Sequence, residues 1–434
     1  MSNLSDLLPA GAGGKQVNFV ATGTIGNGVT VGLKTDGTVE AVSGVTEGVG
    51  AESVFESATS NYISATYDST NNKVVIAYQD AGNSNYGTAV VGTVSGTSIS
   101  YGSPVVIATN QARYFAVVFD SNANKIVIAY QNQDNTYGQA IVGTVSGTSI
   151  SFGSVVTFES ANTFYVNAAF DSTVNKVIIS YRDNGNSDYG TAIVGTVSGT
   201  SISFGTAVVY NSGECQPQET VYDSNANKTV ILYTDTSNSY QGTAIIGTVS
   251  GTSISFGTEV VFNAAVTNWI SATYDSSSSK VVIAYQDQGN SQYGTAIIGT
   301  VSGTSISFGA ATVFESAGTE YVSATFDSSA NKVVIAYRDS PNTDRGTAIV
   351  GTVSGTSISF GSAVVYNSGV TSYVTATFDS TANKVVIAYR DQGNSNYGTG
   401  IVFTVGSTNN TSFIGITDAA ISSAASGSVT IKGG

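Results

Sequence analysis

From residue 50 to residue 405 one pattern of apolar and polar positions recurs, and nothing within it carries a helical period. The stretch around Asp327 shows the unit. Tyr321-Val-Ser-Ala-Thr-Phe-Asp327 alternates bulky with small residues, the period of two expected of a strand (a) that lines something other than solid core. Lys332-Val-Val-Ile-Ala-Tyr337 is continuously apolar after its lysine, as a strand (b) covered on both faces would be. Two further strands follow, Gly346-Thr-Ala-Ile-Val-Gly-Thr-Val353 (c) and Ser357-Ile-Ser-Phe-Gly-Ser-Ala-Val-Val-Tyr366 (d). Turn chemistry separates them: Asp-Ser-Ser-Ala-Asn-Lys between a and b, Ser-Gly-Thr between c and d.

The unit is repeated. An aromatic-Asp pair closes strand a in every copy, with Asp at 68, 120, 171, 223, 275, 327 and 379, at steps of 52, 51, 52, 52, 52 and 52 residues. Four strands per repeat of ~40–50 residues is the signature of a propeller blade. An open solenoid is the competitor, and the ends of the array separate the two. The seventh copy stops after strand c, where Val405 is followed by Gly406-Ser-Thr-Asn-Asn, while Gly50-Ala-Glu-Ser-Val-Phe-Glu-Ser57 matches the strand d segment Gly309-Ala-Ala-Thr-Val-Phe-Glu-Ser316. Complementary halves serve a ring, whose last blade is finished by the first strand and whose edges then disappear. The reading is all-β: a closed seven-bladed β-propeller over 50–405 with N-terminal strand closure. Residues 1–16 read as a flexible N-terminal arm. Residues 17–49 and 406–434, with the hairpin signal Asp36-Gly37, are each too short for a core and together predict one small discontinuous β module.

Composition narrows the function. The 434 residues hold 15 Lys+Arg against 29 Asp+Glu, a net charge of −14 that disfavours nucleic acid. There is no His and a single Cys, so His-dependent triads, disulfides and cysteine zinc sites are excluded, and no cofactor is implied. No run of 18 apolar residues is present, so membrane insertion is not expected. Only 10% of residues are charged while 41% are hydrophobic, a composition suited to an adhesive surface, yet the chain opens without the basic and apolar segments of a secretory signal.

The seven Asp-x-x-x-Asn/Ser-Lys turns (Lys73, Lys125, Lys176, Lys228, Lys280, Lys332, Lys384) read as Asx-type turns carrying a surface Asp–Lys pair. The b–c loops, such as Gln79-Asp-Ala-Gly-Asn-Ser-Asn-Tyr-Gly87, offer oxygen ligands but lack the spaced acidic set of a calcium loop, and read as hydrogen-bonded turns without metal. Six residues before the marker Asp stands an aromatic in six copies: Tyr62, Tyr114, Tyr165, Trp269, Tyr321 and Tyr373, with Pro217 in the fourth. Two readings stand for them: packing between blades, or contact with a ligand. Chain direction puts the start of a and the end of b on one side, so these rings share a face with Arg182, Arg338 and Arg390, which replace the first Gln of the b–c loop. Aromatic planes beside planar polar groups are the chemistry of sugar recognition. Cys215 reads as a free, inert thiol. No carboxylate pair stands out for catalysis.

The flanks add a resemblance. Met1-Ser-Asn-Leu-Ser-Asp-Leu-Leu-Pro-Ala-Gly-Ala-Gly-Gly-Lys15, Thr30-Val-Gly-Leu-Lys-Thr-Asp-Gly-Thr-Val39, Phe413-Ile-Gly-Ile-Thr-Asp-Ala-Ala-Ile-Ser422 and Gly427-Ser-Val-Thr-Ile-Lys-Gly-Gly434 resemble structural proteins of tailed phages of marine bacteria, cyanophages among them. The resemblance covers about a sixth of the chain and implies a virion structural or display protein, a fibre or a capsid or tail decoration. Such a protein is made in the host cytoplasm, exposed on the virion surface and contributes to host attachment. The expected partners are other virion proteins through the terminal β module, further copies of this chain in a symmetric homo-oligomer, and host-surface glycans. A glycan-binding propeller lectin outside a virion is the alternative; a propeller glycosidase or lyase ranks last, and the chain is not expected to be an enzyme.

Overall fold

The computed structural model describes residues 16–27, 30–33, 37–41, 45–406, 412–417 and 425–430. They fall into two units, Gly48–Val405 and, separately, Met1–Glu47 with Gly406–Gly434. The expected arm lies outside the described residues except for Gln16, which opens the strand Gln16–Val20.

In the larger unit every regular element is a strand, apart from single 3-10 turns in six of the b–c loops, and all strand pairs are antiparallel. In the sixth copy Lys332–Asp339 lies between the second half of Thr312–Asp327 and the strand Arg345–Ser354. Strand d differs from its sequence reading. It ends at Phe360, and Val364 opens a 16-residue strand, Val364–Asp379, that runs on into what the sequence shows as the next strand a. The first part of this strand pairs with Arg345–Ser354 and its second part with Lys384–Asp391 of the following copy. Each long strand therefore belongs to two sheets.

At six of these breaks a neighbour's turn packs close against the glycine. A Cβ on Gly257, one residue past the corresponding Phe256, would stand 1.9 Å from the Thr304 carbonyl oxygen in the next copy's c–d turn. At that point of the chain a neighbour's turn lies directly against the glycine, leaving no room for a side chain. At the array's end, Tyr397–Thr404 pairs with Ser53–Asp68 through Tyr397↔Thr59 to Gly400↔Ser53, and with Gly48–Val49 through Phe403↔Val49. The unit thus begins at Gly48 rather than at residue 50.

Strand b carries the core. Val333, Val334, Ile335, Ala336 and Tyr337 are all fully buried, and so are the equivalent tyrosines Tyr78, Tyr130, Tyr181, Tyr233, Tyr285 and Tyr389. Each such side chain contributes ~1.5–3 kcal/mol by transfer from water. Several of the phenols end on a carboxylate, as Tyr78 does on Glu56 and Tyr337 on Glu315.

The a–b turns correct one expectation. The marker aspartates are buried, Asp327 at 1% exposure, and accept backbone N–H bonds from the turn, here from Ser329 and Ala330 at 2.9 Å. Among the described residues no ion pair joins a marker Asp to the following Lys, and Lys332 instead donates to the Thr352 hydroxyl. A carboxylate already saturated by main-chain donors inside the protein has no need of a surface ammonium.

In the smaller unit Gln16–Val20 pairs with Ser426–Thr430, which pairs with Ser412–Thr417, then Thr30–Leu33, then Val39–Ala41. The two ends of the chain share one five-stranded sheet, with Ala21, Ile25, Val31 and Val39 as its core. Asp36 of the hairpin signal lies outside the described residues.

Candidate functional site: an aromatic arc

The long strands carry a bulge where each enters its second sheet. Asn61 faces Gln79 and Ser64 faces Ala77, leaving Tyr62 and Ile63 opposite Tyr78 alone. Such bulges re-aim a side chain. Here the re-aimed residue takes a left-handed backbone: φ is 50° at Tyr62, 56° at Tyr114, 50° at Tyr165, 51° at Trp269, 49° at Tyr321 and 51° at Tyr373. A bulky residue in that region costs ~1–2 kcal/mol relative to glycine. In the fourth copy the position is Pro217, whose ring fixes φ near about −65° and bars the left-handed form.

The six rings form one arc. Centroids stand 4.4 Å apart for Trp269–Tyr321, 5.5 Å for Tyr321–Tyr373, 5.2 Å for Tyr373–Tyr62, 5.2 Å for Tyr62–Tyr114 and 5.4 Å for Tyr114–Tyr165. All are half-buried. Five of them also cover the end of a neighbouring core cluster, so packing between copies and presentation to solvent are two sides of the same rings. Burial raises the phenols of Tyr114 and Tyr165, and with Tyr62 and Tyr321 alongside it pushes Tyr373 up to about 12.

Arg182, Arg338 and Arg390 lie on the same side, each over a ring: Arg182 4.6 Å from Phe164 and 5.1 Å from Tyr165, Arg338 5.0 Å from Tyr321, Arg390 4.8 Å from Tyr373. Their charges are already engaged. Arg182 pairs with Glu214 and Asp188, Arg338 with Glu320 and Asp344, and Arg390 donates to Asn61 at 2.6 Å. Sequence reasoning missed a fourth cation, Arg113, 4.9 Å over Tyr114. It missed as well the residues that flank the rings, Phe164, Gln216, Asn268 and Glu320. The signal was available: the position just before each aromatic reads Asn, Arg, Phe, Gln, Asn, Glu and Ser through the seven copies, while strands b and c barely change.

Three cavities accompany the arc. One of about 260 Å3 lies against Tyr62, Tyr114, Tyr165 and Trp269. A second, about 350 Å3, opens at the break in the arc between Tyr165 and Trp269. The third is a channel of about 200 Å3 lined by strand a residues of all seven copies, most of them Ser, Ala or Thr. Glu219 is the one charged residue along it, and burial, partly offset by hydrogen bonds from Thr220, Ser271 and Asn167, pushes its carboxyl up to about 7. Five of the b–c loop aspartates, Asp80, Asp183, Asp235, Asp287 and Asp391, are occupied as caps, Asp80 accepting from the N–H groups of Gly82 and Asn83, whereas Asp339 makes no such bond. Cys215 is a free, buried thiol, pushed up by burial.

No family model matches the chain, and no curated protein matches it. Among solved structures the chain is similar to AofleA from Arthrobotrys oligospora, at TM-score 0.44 and 9% identity, and to its triple Arg-to-Ala mutant, at TM-score 0.46 and 10% identity. Both alignments cover 80% of this chain and 97% of the other.

Proposed function

We propose that residues 48–405 form a closed seven-bladed propeller that binds carbohydrate through the aromatic arc. One observation carries this reading: six Tyr or Trp side chains held in a left-handed backbone that Gly or Asn would adopt at far less cost. Packing over a neighbouring core cluster occupies one side of five of these rings and leaves their exposed side without a structural task. A sugar-binding surface gives them one, because stacking on the C–H face of a sugar needs wide, neutral, rigid planes. The arginines hold those planes, and carboxylates neutralise two of them, Arg182 and Arg338. Closure is supported by the pairing of Tyr397–Thr404 with Ser53–Asp68. Binding is favoured over catalysis because Glu219 is the sole carboxylate lining the three cavities, whereas glycoside hydrolysis calls for two.

The resemblance of the flanks to phage structural proteins supports a second, compatible proposal: the ring is displayed on a virion, attached through the sheet that both termini share, with host-surface glycan as its target. Mass spectrometry of purified particles tests the location. A glycan array tests the binding. Trp269→Ala with Tyr321→Ala, in a chain that still unfolds cooperatively, is expected to lose array binding. Unchanged binding would return the arc to a purely structural role.

A further inference from the structure

We infer that the break in the arc at the fourth copy is a single cleft for an uncharged pyranose, one per chain. This rests on the carbohydrate-binding reading and narrows it from a repeated face to one place.

Three departures from the repeat converge there. Pro217 stands where the other copies have an aromatic. Thr234 stands where they have Gln79, Gln131, Arg182, Gln286, Arg338 and Arg390. Tyr240 stands where they have Asn85, Thr136, Asp188, Gln292, Asp344 and Asn396. Thr234 exchanges a long side chain for a short one and Tyr240 does the reverse, which opens a space and then supplies it with a wall. The space is the cavity of about 350 Å3 lined by Tyr165, Gln216, Thr234, Tyr240, Asn268 and Trp269. That is the low end of small-ligand sites, about the size for one sugar unit.

The lining fits a sugar and little else. Tyr165 and Trp269 end the arc on either side, and Tyr240 is 53% exposed, an aromatic ring that buries itself against no core. Among the described residues neither the Tyr240 hydroxyl nor the Trp269 indole N–H has a protein partner. Gln216 is fixed by the Tyr165 hydroxyl, which donates to its Oε1 at 2.6 Å. The Thr234 hydroxyl donates to the Thr267 carbonyl at 2.6 Å and keeps its lone pairs, and Asn268 donates to Gln286 at 3.3 Å and keeps its own carbonyl oxygen. Aromatic planes, amide and hydroxyl acceptors and two unclaimed donors face one space. None of the six residues is charged, and the nearby Arg182 is neutralised by Glu214 and Asp188, so an acidic sugar gains nothing here.

Trp269 is the chain's single tryptophan, so its emission reports the cleft directly. The full-length protein is titrated with methyl glycosides of glucose, galactose and mannose, and with sialyllactose and methyl glucuronide as charged probes, by fluorescence and calorimetry. The expected result is one neutral glycoside bound per chain with a change in Trp269 emission. Affinity should fall about tenfold or more in Tyr240→Ala and in Thr234→Arg, which refills the space. Gln292→Ala, at the position equivalent to Tyr240 in the next copy, should bind as wild type. Several sugars per chain, preference for a charged probe, or wild-type affinity in both cleft variants would overturn the single cleft while leaving carbohydrate binding in place. No binding of any glycoside or array glycan would remove both.

Discussion

Glu219 shows how one residue departs from its kin. The equivalent positions hold Ser64, Ala116, Asn167, Ser271, Ser323 and Thr375, small or neutral side chains suited to a narrow channel. Several of them clasp the next copy, Ser271 accepting from the Ala324 N–H and Ser323 from the Ala376 N–H. A carboxylate in that file is desolvated, and its pKa rises from 4.5 to about 7. Because the folded value lies above the unfolded one, the folded chain holds the extra proton between those limits, and stability falls as pH rises through them. Urea midpoints taken across that window should decline in the wild type, by roughly 1–3 kcal/mol in total, and stay flat in Glu219→Gln. A wild-type profile as flat as the variant's would mean that the channel hydrates the carboxylate. The left-handed aromatics make the same point at residue scale, since their backbone cost is borne in six copies and avoided only by Pro217.

Between elements, the contact that recurs is a glycine under a neighbour's turn. Gly102, Gly153, Gly205, Gly257 and Gly309 each lie so close to the Thr carbonyl of the following copy's c–d turn that a Cβ would stand 1.8–1.9 Å from it, and Gly50 makes the same approach to Thr97 at 1.7 Å. Among the described residues Gly361 has no such neighbour. Gly257→Ala should therefore destabilise by about 1–3 kcal/mol, and Gly361→Ala by under about 0.5 kcal/mol, in denaturant melts. Equal effects would show that the contact is loose. Much at this scale was legible in the sequence: strand b from its apolar run, the turns from their Asp, Asn and Gly, and the shared face of rings and arginines from chain direction. The splitting of strand d was not, because Gly361-Ser-Ala reads as a tolerable strand interior until a neighbour's backbone is laid against its equivalents. The carboxylates on Arg182 and Arg338 were equally hidden, since Glu214 is 32 residues from its arginine.

For the whole molecule, the seventh copy is the instructive one. It lacks a Ser-Ile-Ser-Phe strand, and its third strand is rewritten to suit: Phe403 replaces the glycine found at 92, 143, 195, 247, 299 and 351. In those copies a Cβ on the glycine would strike the Ile and aromatic side chains of strand d, as at Gly351 against Ile358 and Phe360. With only Gly48–Val49 alongside, the fully buried Phe403 occupies that room from its own strand. Gly400, where other copies have Ala, admits the Tyr101 hydroxyl, which would lie 2.0 Å from a Cβ. The join thus carries two residues, Phe403 and Gly400, found at these positions in no other copy. A chain starting at residue 48 should unfold in one sharp transition, whereas one starting at residue 58 should unfold broadly, read by circular dichroism against urea. The same curve for both would refute closure by the first strand. This joint also imposes an order on the protein's making. Ser53–Asp68 leaves the ribosome early, and its partner Tyr397–Thr404 emerges only after the whole array between them. The early strand's second half can pair at once with Lys73–Asp80, but its first half must stay soluble and unpaired while the other copies assemble in turn. Its charged Glu56, the adjacent Glu52 and its exposed Val54 fit a segment that tolerates waiting in water. Pairing at such distance is slow to form. If unfolding must first undo this pairing, as the proposed closure implies, the assembled unit should be long-lived well beyond what its equilibrium stability alone would give.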